Sequence, residues 1–144
     1  MSELFKKILI ATDGSKYTQA AIQKGLEIAR AHNAKVYALY VIDTRALITA
    51  NGMPGPENIY MILQDEGKNA VQQVKDAGRG LDVEPVVIAG HPSSMIVRFA
   101  KENGVDLIVT GTLGKSGIEE LLLGSVADGV IRHATCPVLV VKST

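Results

Sequence analysis

The sequence predicts an α/β fold in which helices cover both faces of an open parallel sheet. Five short apolar runs, each bounded by turn residues, alternate with longer segments whose apolar residues recur at helical spacing. Continuous apolar runs of this kind are typical of strands buried on both faces. The order βαβαβαβαβ with right-handed crossovers therefore predicts a layered sandwich. At 144 residues, the chain is expected to form one domain over residues 1–144.

The first βα unit begins with the apolar run Lys7–Ala11, which we expect to be a strand. The polar residues Thr12–Ser15 follow it, and Ser15 is a natural N-cap for a helix that extends to about Ala31. The second strand is predicted over Val36–Ile42, which is rich in β-branched and aromatic residues.

The middle of the chain is less regular. Residues 43–57 contain Asn51-Gly52 and Pro54-Gly55-Pro56, so we expect a mobile loop at one end of the sheet. A helix is predicted over about Asn58–Ala77, and Gly78 follows its end.

Two further units complete the alternation. A strand over Val83–Ala89 leads through Pro92 into a helix that ends near Gly104, and the fourth strand is Asp106–Thr110. The last helix opens at Gly124-Ser125. Its expected buried residues are Val126, Val130 and Ile131. The final strand is predicted over Cys136–Val141.

Composition excludes several classes of protein. Fifteen basic and fifteen acidic residues cancel, so we expect neither nucleic acid nor an anionic membrane as the main partner. No apolar run approaches the length of a membrane span, and the first seven residues do not resemble a signal peptide, so a cytoplasmic location is expected. The single Cys136 excludes an internal disulfide and is expected to be a buried structural thiol.

The stretch after the fourth strand carries the clearest functional signal. Small polar residues and glycines at 111, 114 and 117 end that strand, and Gly124-Ser125 then opens a helix. Glycines that tolerate positive φ, together with a helix N-terminus, favour an anion. Ligands of such sheets bind at the carboxyl ends of strands where the strand order reverses. We therefore expect the first and fourth strands to be neighbours, which places residues 11–15 opposite this stretch.

Several known phosphate sites do not fit. The spacing of Gly111 and Gly114 before Lys115 is not that of a P-loop, and no dinucleotide fingerprint follows the first strand. A phosphoacceptor domain needs an aspartate at the end of the third strand, where Ala89-Gly90 stands instead. The few hydroxyls after the first strand, Thr12 and Ser15, also argue against an FMN site.

The spacing Gly111-x2-Gly114-x9-Gly124-Ser125 resembles the nucleotide motif of the universal stress protein family, in its ATP-binding branch. Lys6–Ser15, Gly90-His91-Pro92 and Pro137–Val141 extend the resemblance over nearly the whole chain. The resemblance implies a three-layer sandwich with a five-stranded parallel sheet in the order 3-2-1-4-5, the adenine nucleotide alpha hydrolase-like arrangement.

The resemblance also implies a binding site for ATP with Mg²⁺ or Mn²⁺. Residues 111–117 would wrap the ribose and phosphates, Ser125 would contact the phosphates, Asp13 would lie near a phosphate-bound metal, and the Val41 backbone would contact adenine. The implied site residues are Ala11, Thr12, Asp13, Val41, Gly111, Thr112, Leu113, Gly114, Lys115, Ser116, Gly117, Gly124, Ser125, Val126 and Ala127. Two positions depart from common family choices. Leu113 stands where the family often has His or Arg, and Ala11 stands where some members have Pro.

Simpler interpretations stay open for four of these positions. Gly111 and Gly114 are also consistent with a tight strand exit, Asp13 with a turn residue, and Lys115 with a surface charge. The three histidines, His32, His91 and His133, are scattered in the sequence and are expected to be structural.

The expected activity is regulatory binding of an adenine nucleotide in stress physiology, through an unknown protein partner. Asp13 and Lys115 are the only candidate catalytic groups near the loop, so no catalytic residue is assigned and at most slow ATP hydrolysis is expected. A slow ATPase or phosphotransfer enzyme is the alternative, and a scaffold with a vestigial site is a third. The apolar strand 137–141 is expected at a sheet edge, where the family commonly forms homodimers.

Overall fold

The computed structural model describes residues 4–48, 52–55, 57–114 and 123–143. The strands are β1 (Lys7–Ala11), β2 (Lys35–Asp43), β3 (Val83–Gly90), β4 (Leu107–Gly111) and β5 (Val138–Val141). The helices are α1 (Gln19–His32), α2 (Ile59–Ala77), α3 (Pro92–Glu102) and α4 (Ser125–His133). Short 3-10 turns over Lys16–Thr18 and Thr44–Leu47 follow the ends of β1 and β2.

The strands form one five-stranded sheet in the order β3-β2-β1-β4-β5, and all of its pairings are parallel. This confirms the predicted strand order and the predicted pairing of the first and fourth strands. It also places β5 at a sheet edge, as expected.

The core has two parts, one on each face of the sheet. Ile8 and Ile10 of β1 pack with the helices α1 and α2, whereas Leu9 packs with α3 and α4. All three side chains are fully buried, which explains why β1 reads as a continuous apolar run. The two helical layers around the sheet confirm the predicted three-layer sandwich.

Strand β2 extends beyond the end of β1. The β1–β2 pairs stop at Ala11↔Leu39, whereas β2 remains paired with β3 as far as Asp43↔Gly90. Residues 40–43 therefore have no β1 neighbour, and a gap opens at the carboxyl edge of the sheet above the end of β1.

The start of the first helix differs from the prediction. Ser15 does not cap an α-helix; it precedes a 3-10 turn, and α1 begins only at Gln19. The Thr18 amide and hydroxyl both donate to the Ser15 carbonyl, at 3.2 and 2.9 Å, so this carbonyl, and not the Ser15 hydroxyl, organises the turn. The predicted end of the helix is confirmed, because Asn33 adopts a left-handed conformation with φ 51°.

Two predictions of burial near the end of the chain are wrong. Ile131 is 46% exposed, because Val130 and Ala127 occupy the buried face of α4 and the next residue is rotated by about 100°. Cys136 is only half-buried and precedes β5, which begins at Val138 at the open edge of the sheet. Partial burial and the charge of Asp106 raise the pKa of the Cys136 thiol.

Other predicted boundaries agree to within about two residues. The segment after β2 is more regular than predicted, because it contains the Thr44–Leu47 turn and a bridge between Ile48 and Pro54. No helix in the described ranges has both the length and the apolar character needed to cross a membrane.

Candidate functional site

A cleft of about 350 Å³ lies at the carboxyl edge of the sheet, in the gap above β1. It brings together every predicted site residue that the structure describes: Ala11, Thr12, Asp13, Val41, Gly111, Thr112, Leu113, Gly114, Gly124, Ser125, Val126 and Ala127. The predicted residues Lys115, Ser116 and Gly117 lie outside the described residues. Segments about 100 residues apart in the sequence therefore meet in one site of the size that small-molecule ligands occupy.

The N-terminus of α4 forms one end of this cleft. Gly124 is the N-cap, and Ser125 is the first helical residue, not the cap. The Asp128 amide donates to the Gly124 carbonyl at 3.0 Å. The amides of Ser125, Val126 and Ala127 precede this bond, so they have no acceptor within the helix. All three residues line the cleft, where the positive end of the helix dipole favours an anion.

The glycines beside this helix end are needed for space rather than for positive φ. None of Gly111, Gly114 and Gly124 has a φ in the left-handed range, contrary to the initial interpretation. Gly111 is the last residue of β4, and a Cβ there would lie 2.9 Å from the Tyr17 carbonyl oxygen. A Cβ on Gly124 would lie 3.0 Å from the Thr112 carbonyl oxygen, to which the Gly124 amide already donates at 2.6 Å.

Gly114 faces a carboxylate instead of backbone. A Cβ on Gly114 would lie 3.0 Å from Asp13 Oδ2, which places that carboxylate directly beside Gly114. The other oxygen, Asp13 Oδ1, accepts a hydrogen bond of 2.9 Å from the Ser15 amide. One oxygen of Asp13 thus stabilises the turn, and the other oxygen faces the cleft.

Thr12 has a structural side chain. It is 5% exposed, and its hydroxyl lies 3.2 Å from that of Thr18 and accepts from the Gly14 amide at 3.1 Å. Its amide donates to the Leu39 carbonyl at 2.9 Å, which is the last hydrogen bond from the β1 segment to β2. Thr12 therefore fixes the wall of the cleft, with its hydroxyl occupied by the turn.

The backbone of Val41 forms the opposite end of the cleft. Lys35 donates its amide to β1 and Val36 donates its amide to the β3 side, so odd-numbered residues of β2 direct their backbone groups towards β1. Val41 follows this alternation but lies beyond the last β1 pair. Its N–H and C=O therefore point into the gap, where they offer a donor and an acceptor side by side.

A charged pair that was not predicted from the sequence lies at the same end of the cleft. Asp43 and Arg45 both line it. Asp43 Oδ1 accepts from the Arg45 amide at 3.0 Å and from Nε at 2.9 Å, and Oδ2 accepts from Nη2 at 2.6 Å. The pair lies at the end of the cleft away from the glycine loop, so Asp13 stays the candidate catalytic group beside that loop in the described part of the chain. An acid followed two residues later by an arginine, directly after a strand, is the signal that could have found this pair.

This pair gives a pH-dependent prediction. The side-chain hydrogen bond from Arg45 is the main cause that lowers the pKa of Asp43 from its usual value, and partial burial opposes it. Because the pKa of Asp43 is lower in the folded protein than in the unfolded chain, the ion pair is fully formed above the usual aspartate pKa. It is lost as the pH falls through the pKa of Asp43 in the folded protein. We expect the Arg45 Nε–H resonance in NMR spectra to stay constant from pH 8 to pH 5 and to shift only under more acidic conditions. A shift between pH 5 and pH 7 would contradict this assignment.

A second depression lies between α3 and α4. His91 and His133, which are scattered in the sequence, both line it. One ring nitrogen of each histidine has a local partner: His91 Nδ1 lies 3.3 Å from the Ser93 hydroxyl, and His133 Nδ1 donates to the Gly129 carbonyl at 3.0 Å. Within the described ranges, no group of three or more histidine, cysteine, aspartate or glutamate side chains could hold a metal ion.

Comparison with known proteins agrees with this geometry. The model of the universal stress protein family matches residues 4–142. A universal stress protein of Methanocaldococcus jannaschii is 43% identical over 141 residues, which cover 96% of this chain and 83% of the relative.

Two solved structures extend the comparison. A second protein of Methanocaldococcus jannaschii has a TM-score of 0.81 and 31% identity, with 98% of each chain covered. A universal stress protein in complex with cAMP has a TM-score of 0.71 and 28% identity, with 98% of this chain and 99% of that chain covered. The family model spans nearly all of the sequence, so this chain belongs to the universal stress protein family.

Proposed function

We propose that the cleft binds ATP and that the protein acts as a nucleotide-dependent regulatory module in the stress response. One observation carries this proposal: the first amides of α4, which have no acceptor within the helix, and the backbone of Val41, which lies beyond the last β1 pair, are at opposite ends of one cleft. The first end suits phosphate, and the second suits the edge of an adenine, which carries a hydrogen-bond donor beside an acceptor.

The chemistry of the lining supports an adenine nucleotide in particular. The solved relative in complex with cAMP binds a ligand that contains adenine, ribose and phosphate. In this chain, Gly114 leaves room for the phosphates to approach the backbone, and Ser125 adds a hydroxyl at the helix start. Mg²⁺ or Mn²⁺ would be held by Asp13 together with phosphate oxygens and water, because Mg²⁺ is commonly bound by only one or two carboxylates.

Regulation would follow from a shift in the populations of the protein's conformations. A nucleotide that contacts the loop after β4 and the turn after β2 stabilises the conformation in which both are ordered. A protein partner of the module would then recognise that surface.

Equilibrium binding with purified protein tests the nucleotide site. We expect saturable binding of ATP in the presence of Mg²⁺, and a large loss of affinity in Gly114→Val. Among the described residues, a Cβ at position 114 would meet the end of the flexible Asp13 side chain, so we expect the fold to survive while the approach of the phosphates is blocked. Absence of ATP binding at millimolar nucleotide would refute the proposal, and unchanged affinity in Gly114→Val would place the site elsewhere.

A slow ATPase is the second candidate, and the position of Asp13 favours it. Its Oδ2 faces the loop that would hold the phosphates. Single-turnover hydrolysis distinguishes the two functions. A rate that disappears in Asp13→Ala while binding is retained would support catalysis; a rate at the background level in the natural protein would support binding alone.

We also propose a homodimer that pairs through β5. This strand is four residues long, half-buried, and lies at an edge of the sheet. An apolar edge of this kind is a liability unless a second chain or another element covers it. Light scattering at micromolar concentration is expected to give the mass of two chains, and the mass of one chain would contradict the dimer.

A further inference from the structure

The two ends of the cleft carry different groups. Its phosphate end lies beyond β4, at the N-terminus of α4, and its other end lies beyond β2, with β1 between them. Two strand spacings correspond to about 9–10 Å. Arg45 follows β2 and lines the second end, so it lies on the side of the cleft away from the α4 amides.

We propose that Arg45 is a specificity residue that covers one face of the adenine ring, with Asp43 as the residue that positions it. The inference rests on the proposed nucleotide function and adds to it a contact with the base. It assigns the arginine to the aromatic ring rather than to the phosphates.

The orientation of the base follows from the backbone that would bind it. The N–H and C=O of Val41 lie roughly in the plane of the sheet, so a base paired with them continues that plane. Its two faces then look towards the two helical layers. Leu63 of α2 and Ile96 of α3 line the cleft from these opposite layers.

Arg45 lies on the α3 and α4 side. Residues at odd positions of β2, such as Tyr37 and Leu39, pack against the α3 and α4 layer, and Asp43 continues that alternation. The carboxylate of Asp43 binds the guanidinium of Arg45 through both oxygens, by way of Nε and Nη2. A paired carboxylate of this kind fixes the plane of the guanidinium as well as its position.

A fixed guanidinium plane suits an aromatic partner. Arginine stacks on aromatic rings, whereas the ammonium group of lysine has no plane. The Arg45 side chain is 64% exposed, and Asp43 is the partner that holds it over the cleft. Because the contact is made at an exposed position, its expected contribution is a three- to fivefold change in affinity, about 0.5–1 kcal/mol.

A series of ligands distinguishes the base from the phosphates. We would measure dissociation constants of adenosine, AMP, ADP, ATP and inorganic tripolyphosphate for the natural protein and for Arg45→Ala. The expected result is a weakening of about three- to fivefold that is the same for adenosine and for ATP, with no change for tripolyphosphate. Arg45→Lys is expected to recover less than half of the loss, because it keeps the charge and loses the plane.

Two controls make the result specific. Arg98→Ala removes another exposed, ion-paired arginine, which contacts Glu102 and does not line the cleft, and it is expected to leave every constant unchanged. The double variant Asp43→Asn/Arg45→Ala is expected to be as weak as Arg45→Ala; recovery of affinity would mean that the unpaired Asp43 carboxylate caused the loss, and would overturn the proposal.

Other outcomes also decide the question. Unchanged adenosine affinity in Arg45→Ala, or a loss that grows with the number of phosphates, would overturn the role of Arg45 while the proposed nucleotide function stands. Absence of any nucleotide binding by the natural protein would overturn both.

Discussion

Replacement of Gly124 by valine is expected to raise the dissociation constant for ATP by a factor of about 100 or more. The Cβ of any residue at this position would lie 3.0 Å from the Thr112 carbonyl oxygen, 3.5 Å from the Leu113 Cα and 3.7 Å from the Gly114 amide nitrogen. These neighbours are backbone atoms and cannot rotate away, so the loop after β4 must move. Two hydrogen bonds from the loop and the helix end to a charged phosphate, at about 1.5–3 kcal/mol each, account for the expected loss.

Isothermal titration calorimetry with Mg-ATP measures this effect. Ser125→Ala is the matched control, because it removes the neighbouring hydroxyl and retains the helix amides; we expect a loss of about tenfold, the value of one charge-assisted hydrogen bond. Circular dichroism checks that both variants are folded. Equal affinities of Gly124→Val and the natural protein, with the fold intact, would show that the helix end does not bind the phosphates.

The second large effect is on stability. Ile10→Ala is expected to lower the free energy of unfolding by about 2–5 kcal/mol. Ile10 is fully buried in β1, next to both β2 and β4. Helix α1 packs against it through Gly25, where a Cβ would lie 2.7 Å from Ile10 Cδ1. Because β1 lies at the centre of the sheet and is held by strands on both sides, the cavity left by the substitution can close only in part.

Urea unfolding followed by circular dichroism measures this loss. Ile131→Ala removes the same side-chain atoms from a residue that is 46% exposed, and we expect its free energy of unfolding to stay within about 0.5 kcal/mol of the natural protein. Similar losses in the two variants would contradict the assignment of Ile10 to the core.

The class of fold was predictable from apolar patterns because the central strands are buried on both faces. Ile8, Leu9 and Ile10 are fully buried whichever way they point, so the run itself marks the strand. The position of the glycine stretch predicted only that the first and fourth strands are neighbours, and the full order of the strands came from the family resemblance. The predicted start of α1 was wrong because Ser15 suits an N-cap and a 3-10 turn equally well. The hydrogen bonds of Thr18 to the Ser15 carbonyl form the turn, and the residue preferences at Ser15 alone do not reveal them.

The part of the site that carries a sequence motif was predictable from the sequence. The part that depends on the relative lengths of β1 and β2 was not. Gly114 and Gly124 stand out in the sequence, although the reason that they must be glycine, close contact with Asp13 and Thr112, is visible only in three dimensions. Arg45 was missed because its place in the cleft depends on how far β2 extends beyond β1. Relative strand length is a property of pairing register, which the composition of a single segment does not report.

The overhang of β2 beyond β1 has a consequence for how this cleft tolerates change. Both of its ends present main-chain groups: the N–H and C=O of Val41 on one side and the amides at the start of α4 on the other. Most substitutions alter a side chain and leave these groups in place. The exceptions are proline, which has no N–H, and replacements of the close-packed Gly111 and Gly124, where an added Cβ would displace the loop. The recognition surface is therefore insulated from most point mutations. Insertions or deletions that shorten the overhang, or that shift the start of α4, would erase it.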